Sequence, residues 1–543
     1  MTGDPTIEAL AETVGFDLSE RYNASRLLWD NLASGARRPA VLADAGSWSY
    51  GALAEEAARI GNALRAAGVQ PGERVLLFMN DEPAYPAAIM GALRAGLVPV
   101  LVNTLSPPEM VRFYLQDSGA TAAVVSLAHA ALFSDAQREG TACRCLLVAG
   151  TPPDWSGAST DLPEAPTRRG DTAFWMYSSG STGKPKAVVH RHEDAAYTAA
   201  TYARRVLEIG PDDVCFSVPK IFFAYGFGNS ITFPFSVGAA AVLMSGRPEP
   251  AAIFEQITRH RPTILFGLPT LYTALARHEA AAGADLSSLH LCISAAEVLS
   301  ADIAQAWKAL CGLDIIEGLG STELLHIYLS NDQAQRKTGS AGRAVPGYAI
   351  KLTTPAGAEA RPGEEGVMSV RGLSAAREYW NRPEKTAETM RDGWLYTGDR
   401  FVRDEDGFYF FKGRADDLVK VSGQWVYPLE IELALNEHPK VREACVLAVE
   451  LPDRRLTLKA WVAPAEGAAG DAALSDELKA YAKRALLPHK YPREVVFLDR
   501  LPKTGTDKID RQALRRLDAA PSEADRVPSE ADKTKEDNQR ITS

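Results

Sequence analysis

The chain of 543 residues predicts an α/β fold followed by a smaller α+β domain, and three observations carry that prediction. Apolar runs of strand length alternate with segments of helical periodicity through most of the chain. Near Trp394 the texture changes, and glycines punctuate short β-like runs. Beyond Asp416 the elements are short and span about 100 residues, a normal size for a separate domain.

Between Ser49 and Gly68 the apolar residues Leu53, Ala57, Ile60 and Leu64 recur at helical spacing, and Gly68 is placed to end the helix. Arg74 to Met79 reads as a buried strand, Pro86 to Ala95 as a helix and Val98 to Val102 as a second buried strand. Met110 to Leu115 with Ala120 to Val125 repeats the theme, as does Ile253 to Thr258 with Thr263 to Phe266, which implies parallel sheets covered by helices. Gly393, Gly398, Gly407, Gly413 and Gly423 then space out short runs such as Phe408 to Lys412. In the small domain a helix enters at Pro428, strands lie near Val441 to Val449 and Thr457 to Val462, a helix covers Ser475 to Arg484, and a strand covers Val495 to Leu498. The domains expected are 1–414 and 415–517, with a tail at 518–543. That tail repeats Pro-Ser-Glu-Ala-Asp at 521 and 528 with almost no large apolar residues, so disorder is expected there.

Composition narrows the function. A net charge of −10 argues against a nucleic-acid surface, so anionic ligands must be held by local positive clusters. Cys143, Cys145, Cys215, Cys292, Cys311 and Cys445 show no CxxC pair or zinc-like spacing and read as buried, reduced thiols. No basic-then-apolar leader opens the sequence, and no segment offers the roughly 20 consecutive apolar residues of a membrane span. A cytoplasmic protein without a membrane or nucleic-acid partner is expected, with a homodimer left open.

Tyr177-Ser-Ser-Gly-Ser-Thr-Gly-Lys-Pro-Lys186 follows the apolar run Thr172 to Met176. Glycines let a backbone approach an anion closely, hydroxyls add donors, and lysine supplies charge, so the stretch suits a polyphosphate. Its spacing is not that of a Walker A loop, and read alone it also fits a flexible surface turn. Gly318-Leu-Gly-Ser-Thr-Glu323 is a second glycine and hydroxyl turn, ending in a carboxylate. A carboxylate beside phosphate calls for a cation between them, which makes Glu323 a candidate Mg²⁺ ligand; a capped helix start reads equally well. Asp399, closing Trp394-Leu-Tyr-Thr-Gly-Asp399, and Arg414 suit a ribose, or a plain surface ion pair. Leu501 to Arg511 holds Lys503, Lys508 and Arg511 in a polar loop, where a lysine is normally solvated.

In this order these segments resemble the acyl-adenylate-forming superfamily, which includes acyl- and aryl-CoA ligases, luciferases and peptide-synthetase adenylation domains. The resemblance covers residues 20 to 515. It implies a large N-terminal domain of stacked mixed β-sheets with flanking helices and a small mobile α+β C-terminal domain. By it, Ser178, Ser179, Thr182, Gly183 and Lys186 embrace the β- and γ-phosphates of ATP, while Thr322 and Glu323 handle the α-phosphate and Mg²⁺. Asp399 and Arg414 hold the ribose, and Ala295, Ala296 and Glu297 border the adenine. Asp416 is the hinge, Lys508 the catalytic lysine of adenylate formation, and Ser422, Gly423, Gln424 and Trp425 line the tunnel for CoA. One departure stands out: the family usually has glycine immediately before that lysine, and here it is Asp507.

Pro219 to Asn229 lies where this superfamily builds its acyl pocket, and its aromatics beside Ala224, Gly226 and Gly228 suit a flat ring. No acidic residue in the stretch pairs with an α-amino group. Together with Gly320 to Asn331 it is similar to the benzoate and hydroxybenzoate CoA ligase branch, which implies that Phe223, Ala224, Tyr225, His326 and Ile327 line a ring pocket. His326 also fits a satisfied helix-side histidine, and Tyr328 leaves hydroxy- and aminobenzoates open. The expected activity is ATP-dependent formation of an aroyl-CoA from an aryl carboxylate through an aryl-adenylate. The alternatives are a stand-alone enzyme loading a carrier protein, a luciferase-like oxygenase, and an inactive nucleotide-binding regulator disabled by Asp507.

Overall fold

The computed structural model describes the chain apart from residues 1–3, 179–184, 296–298, 416–418, 422–423, 427, 452–455, 487–489, 504–508 and 520–543; for 420, 424, 425 and 519 only the backbone is described. The chain divides into two compact units, Met1–Phe411 and Lys412–Ser543. No helix among the described residues is long and apolar enough to cross a membrane.

The larger unit is built on two big sheets, each with a parallel centre and an antiparallel edge. In the seven-stranded sheet, Thr172–Ser178, Val98–Leu101, Arg74–Phe78, Ala122–Ser126 and Cys145–Ala149 run parallel. Lys186–Arg191 and Glu378–Tyr379 add antiparallel strands on one side. In the nine-stranded sheet a parallel run through Leu291–Ala295 and Ile315–Gly320 likewise ends in the antiparallel strands Ile327–Ser330 and Arg343–Ala344. The alternation of helices and strands predicts the parallel centres, whereas short connections make Thr172–Ser178 with Lys186–Arg191 and Ile315–Gly320 with Ile327–Ser330 antiparallel neighbours, because only such neighbours can be joined without a long crossover. Both antiparallel edges carry the site described below. A third sheet, Ala349–Thr353, Glu365–Arg371, Trp394–Arg403 and Met390–Arg391, is antiparallel; its further strand Tyr409–Arg414 continues the chain into the second unit.

Local chemistry accounts for the helices that support these sheets. Ser49 caps Tyr50–Ala66 by accepting from the Ala52 N–H at 3.2 Å, and Leu53, Ala57, Ile60 and Leu64 are its buried stripe. Ala84–Arg94 starts two residues before Pro86, since proline is tolerated in a first turn that has no N–H bond to lose. These two helices touch through glycine: a Cβ on Gly91 would lie 2.1 Å from the Ala57 carbonyl oxygen.

In the smaller unit Val441–Glu450 pairs antiparallel with Leu456–Pro464, which pairs parallel with Glu494–Phe497, and Ala472–Ala485 extends the expected helix by a few residues at its start. Asp518, where composition predicts the tail to begin, still belongs to the helix Arg511–Ala519, and its carboxylate lies 2.9 Å from Lys459 Nζ. Most of the predicted tail lies outside the described residues. Five of the six thiols are buried, and Cys311 is half-buried.

His192, at the start of the helix behind the strand Lys186–Arg191, ties the N-terminal segment down by accepting the Ala24 N–H at its Nδ1, 3.0 Å away. Burial pushes its pKa down to about 4, and the neighbouring Asp171 and Asp194 do not offset that. Because the folded value lies below the ordinary 6.5, protons bind preferentially to the unfolded chain. The stability contributed by neutral His192 is complete above about pH 6.5 and is lost as the pH falls toward 4. Urea unfolding of wild type is expected to show this loss, and the His192→Asn variant a shallower dependence over the same range.

Candidate active site

Strands Thr172–Ser178 and Lys186–Arg191 pair with Ser178 opposite Lys186, so the two feet of the glycine-rich turn are pinned side by side. Ser179, Thr182 and Gly183 lie outside the described residues. The Ser178 hydroxyl is buried without a hydrogen-bond partner among the described residues, an arrangement that costs about 1–3 kcal/mol unless another polar atom meets it. Lys186 Nζ lies 3.2 Å from Glu323 Oε1 and 3.9 Å from the centroid of the Tyr379 ring. The Tyr379 hydroxyl donates to the same carboxylate oxygen at 2.8 Å. Burial opposes ionisation of Glu323, but the Lys186 charge and these hydrogen bonds outweigh it and hold the pKa below the ordinary carboxylate value.

Thr322 and Glu323 sit in one tight reversal between the strands Ile315–Gly320 and Ile327–Ser330. Ser321 caps it by accepting the Leu324 N–H at 3.3 Å, and Leu325, in the left-handed region at φ +64°, turns the chain back. His190 Nε2 donates to the Thr322 carbonyl at 2.8 Å, while its Nδ1 lies 2.9 Å from Asp194 Oδ2. Ala376 N–H donates to the Glu323 carbonyl at 2.7 Å. The backbone of both residues is therefore held from outside the turn. Sequence reasoning missed His190, Asp194 and Tyr379; the i,i+4 spacing of His190 and Asp194 across a strand-to-helix junction was the available signal.

On the far side of the same turn His326 is 2% exposed, packed against the rings of Phe233, Tyr225 and Tyr202 at centroid distances of 4.3, 5.4 and 5.5 Å. Its Nε2 faces two acceptors, Asn229 Oδ1 at 3.2 Å and the Tyr225 carbonyl at 3.3 Å, so Nε2 carries the proton and Nδ1 is a buried acceptor without a partner. Burial pushes the His326 pKa down to about 3, so the imidazole is neutral at working pH. The Tyr225 hydroxyl is buried as well and lies beside Asn229. Ala224–Phe227 is a helical turn entered at Phe223, whose ring faces Phe222 at 4.6 Å, and it widens into the π-helical segment Gly228–Thr232. Such widened turns recur at functional sites because they redirect side chains by one position. Ile327 packs over Gly318 on the neighbouring strand.

The structure thus brings Ser178, Lys186, Thr322, Glu323, Tyr225, His326 and Ile327 into the adjoining edges of the large unit. Ala295 ends the strand Leu291–Ala295 opposite Gly318, with Ala296 and Glu297 outside the described residues. Asp399 is half-buried in Trp394–Arg403, its N–H bonded to Thr397 Oγ1 at 3.0 Å. Arg414 is exposed in the smaller unit. Asp416, Ser422, Gly423, Asp507 and Lys508 lie outside the described residues, and Gln424 and Trp425 are described by backbone alone in Gln424–Val426. Lys503 and Ile509, which flank residues 504–508, form an antiparallel bridge. Arg511 follows, its guanidinium 2.7 Å from the buried Glu432.

Among the described residues no three His, Cys, Asp or Glu side chains converge to hold a metal by themselves. A single ionised carboxylate, Glu323, beside the Lys186 ammonium fits Mg²⁺, which is commonly bound through one or two carboxylates plus substrate phosphates.

This fold, with the strand that carries Lys186 and the turn that carries Glu323 meeting at two sheet edges, defines an adenylate-forming enzyme. Residues 28–380 match the AMP-binding enzyme family and residues 430–508 match the AMP-binding enzyme C-terminal domain, and the chain belongs to that family. It is 43% identical over 508 residues to a benzoate–CoA ligase of Thauera aromatica, covering 92% of this chain and 96% of that one. It is 38% identical over 495 residues to a 4-hydroxybenzoate–CoA/benzoate–CoA ligase of Rhodopseudomonas palustris, covering 88% and 92%. Among solved structures, an anthranilate CoA ligase in complex with anthranoyl-AMP matches with a TM-score of 0.88 at 34% identity, covering 93% of this chain and 99% of that one. A benzoate CoA ligase from Burkholderia xenovorans LB400 matches with a TM-score of 0.85 at 41% identity, covering 91% and 100%.

Gly228 allows the His326 ring its place, since a Cβ there would lie 2.3 Å from His326 Cδ2 and 2.6 Å from Nε2. Gly228→Ala is expected to displace the imidazole and lower stability by about 1–3 kcal/mol, read from the urea midpoint.

Proposed function

We propose that this chain is an AMP-forming acid–thiol ligase that converts benzoate or a hydroxy- or amino-substituted benzoate to its CoA thioester. The observation that supports the reading is the single reversal between Gly320 and Ile327, which sets Thr322 and Glu323, assigned here to phosphate and cation, beside His326, assigned here to the ring pocket. A carboxylate whose ring lies in that pocket has its reacting end directed toward the nucleotide phosphates.

In the first step a carboxylate oxygen bonds to the α-phosphorus of ATP, the bond to the β-phosphate bridging oxygen breaks, and pyrophosphate leaves. Repulsion between two anions is the main obstacle, so positioning and positive charge do most of the work. Ser178, Ser179, Thr182, Gly183 and Lys186 hold the β- and γ-phosphates, and Thr322 the α-phosphate. Ala295, Ala296 and Glu297 border the adenine, and Asp399 and Arg414 hold the ribose. Mg²⁺ held by Glu323 supplies further neutralisation of the polyphosphate. Lys508 neutralises the charge that develops between carboxylate and α-phosphate. In the second step the thiol sulfur of CoA, reaching the site past Ser422, Gly423, Gln424 and Trp425 after rotation at Asp416, attacks the acyl carbonyl. The bond to the AMP oxygen breaks, AMP leaves and the thiol proton goes to solvent. The pocket stretch from Pro219 to Asn229 lacks an acidic residue, which disfavours amino acids. We place the reaction in the cytoplasm, where ATP and CoA are supplied.

Pyrophosphate release measured across benzoate, its hydroxy, amino and halo derivatives, cinnamates and short fatty acids is expected to be strongest for the benzoates, with thioester formed from CoA without any carrier protein. A preference for fatty acids contradicts the pocket assignment. Lys508→Ala is expected to slow adenylate formation by about 10²–10³-fold, the scale of losing one preorganised charge-stabilising group, and to spare thioester formation from supplied aroyl-adenylate. Equal loss of both steps rejects the role given to Lys508.

A further inference from the structure

We propose that Tyr379 is a positioning residue of the phosphate and metal site, its hydroxyl fixing one oxygen of Glu323 and its ring seating the Lys186 ammonium, so that Mg²⁺ and ATP bind as a coupled pair. The inference rests on the function proposed above and goes beyond it by assigning a residue and a coupling to the site.

Tyr379 is opposite Val188 in the antiparallel pairing of Glu378–Tyr379 with Lys186–Arg191. Side chains alternate along a strand, so Lys186, two residues before Val188, shares that face and is the diagonal neighbour of Tyr379. The segment is clamped: Tyr379 N–H donates to Thr386 Oγ1 at 3.0 Å, Trp380 N–H to the Ala187 carbonyl at 3.0 Å, and Trp380 Nε1–H to the Asp117 carbonyl at 3.1 Å. Tyr379 itself is 2% exposed. A side chain so fixed, bonded to one charge and stacked on the other, sets where both sit.

The coupling follows from charge. Lys186 and Glu323 neutralise one another at 3.2 Å with little solvent around either. ATP alone would draw Lys186 to phosphate and leave a buried carboxylate facing an anion. Mg²⁺ alone would draw Glu323 and leave a buried ammonium facing a cation. Each is costly, because stranding one member of a buried pair leaves an uncompensated charge. Both ligands together give each charge a new partner. The tyrosine hydroxyl keeps its bond to Oε1 throughout and leaves the other oxygen for the cation.

Calorimetric titration of ATP without aryl acid, so that no turnover occurs, tests this at a series of Mg²⁺ concentrations and in EDTA, with thermal unfolding as a check on folding. Wild type is expected to bind ATP at least about tenfold more tightly with Mg²⁺ than in EDTA. Tyr379→Phe, which keeps the ring and loses the hydroxyl, is expected to raise the Mg²⁺ concentration for half-maximal ATP binding about tenfold, the scale of a hydrogen bond to a charged group, with no change in the KM for aryl acid. Tyr379→Leu is expected to lose a further threefold or so of ATP affinity at saturating Mg²⁺ as the ring contact goes. A folded Tyr379→Phe protein with the wild-type Mg²⁺ dependence overturns the assignment, as does an equal rise in the KM for acid. If Tyr379→Phe does not fold, the wild-type comparison decides, and equal ATP affinity in Mg²⁺ and EDTA overturns the coupling. Absence of any ATP binding by wild type would instead remove the proposed function on which the inference rests.

Discussion

An ammonium and a carboxylate mostly withdrawn from water, 3.2 Å apart, form the contact on which the site is organised. Neither charge is tolerable alone in that setting, and each is what a magnesium–triphosphate complex needs from a protein. The surrounding architecture serves to hold them. Lys186 comes from the antiparallel edge of the seven-stranded sheet and Glu323 from the turn at the antiparallel edge of the nine-stranded sheet. His190 joins the two by bonding the Thr322 carbonyl from the first of these edges.

The turn that carries Glu323 also sets a charged neighbourhood next to an aromatic one. Two residues separate Glu323 from His326, and Leu325 at positive φ makes the reversal sharp. One side of the turn is polar and charged, the other lined by Tyr202, Tyr225 and Phe233. The neutral His326 imidazole and the buried Tyr225 hydroxyl give that side polar atoms without net charge. Such a lining suits an aryl ring bearing a hydroxyl or amino group as well as a bare one.

Much of the fold was legible because it rests on local pattern. The helical stripe Leu53, Ala57, Ile60 and Leu64 and the buried runs near Arg74 and Val98 appear close to where periodicity puts them. The mixed character of the sheets followed from resemblance rather than pattern, since an antiparallel edge pairs strands through short turns that look like any loop in sequence. Candidate site residues came from sequence where hydroxyls, glycines and charges are concentrated in a motif, and the structure sets two of them, Lys186 and Glu323, side by side. Tyr379 and His190 escaped notice because their roles come from strand pairing and from a carbonyl partner more than a hundred residues away. Asn229 was read as the end of the pocket stretch, with no sign that it sets the tautomer of His326.

A crystal structure with a non-hydrolysable aroyl-adenylate mimic tests the central claim most directly. The account predicts an aryl ring among Tyr225, Phe223 and His326, a phosphate mimic beside Thr322, and Lys186 and Glu323 each turned toward the ligand while Tyr379 still bonds the carboxylate. A mimic lodged elsewhere, or one seated there with the Tyr379 hydroxyl parted from Glu323, would contradict it.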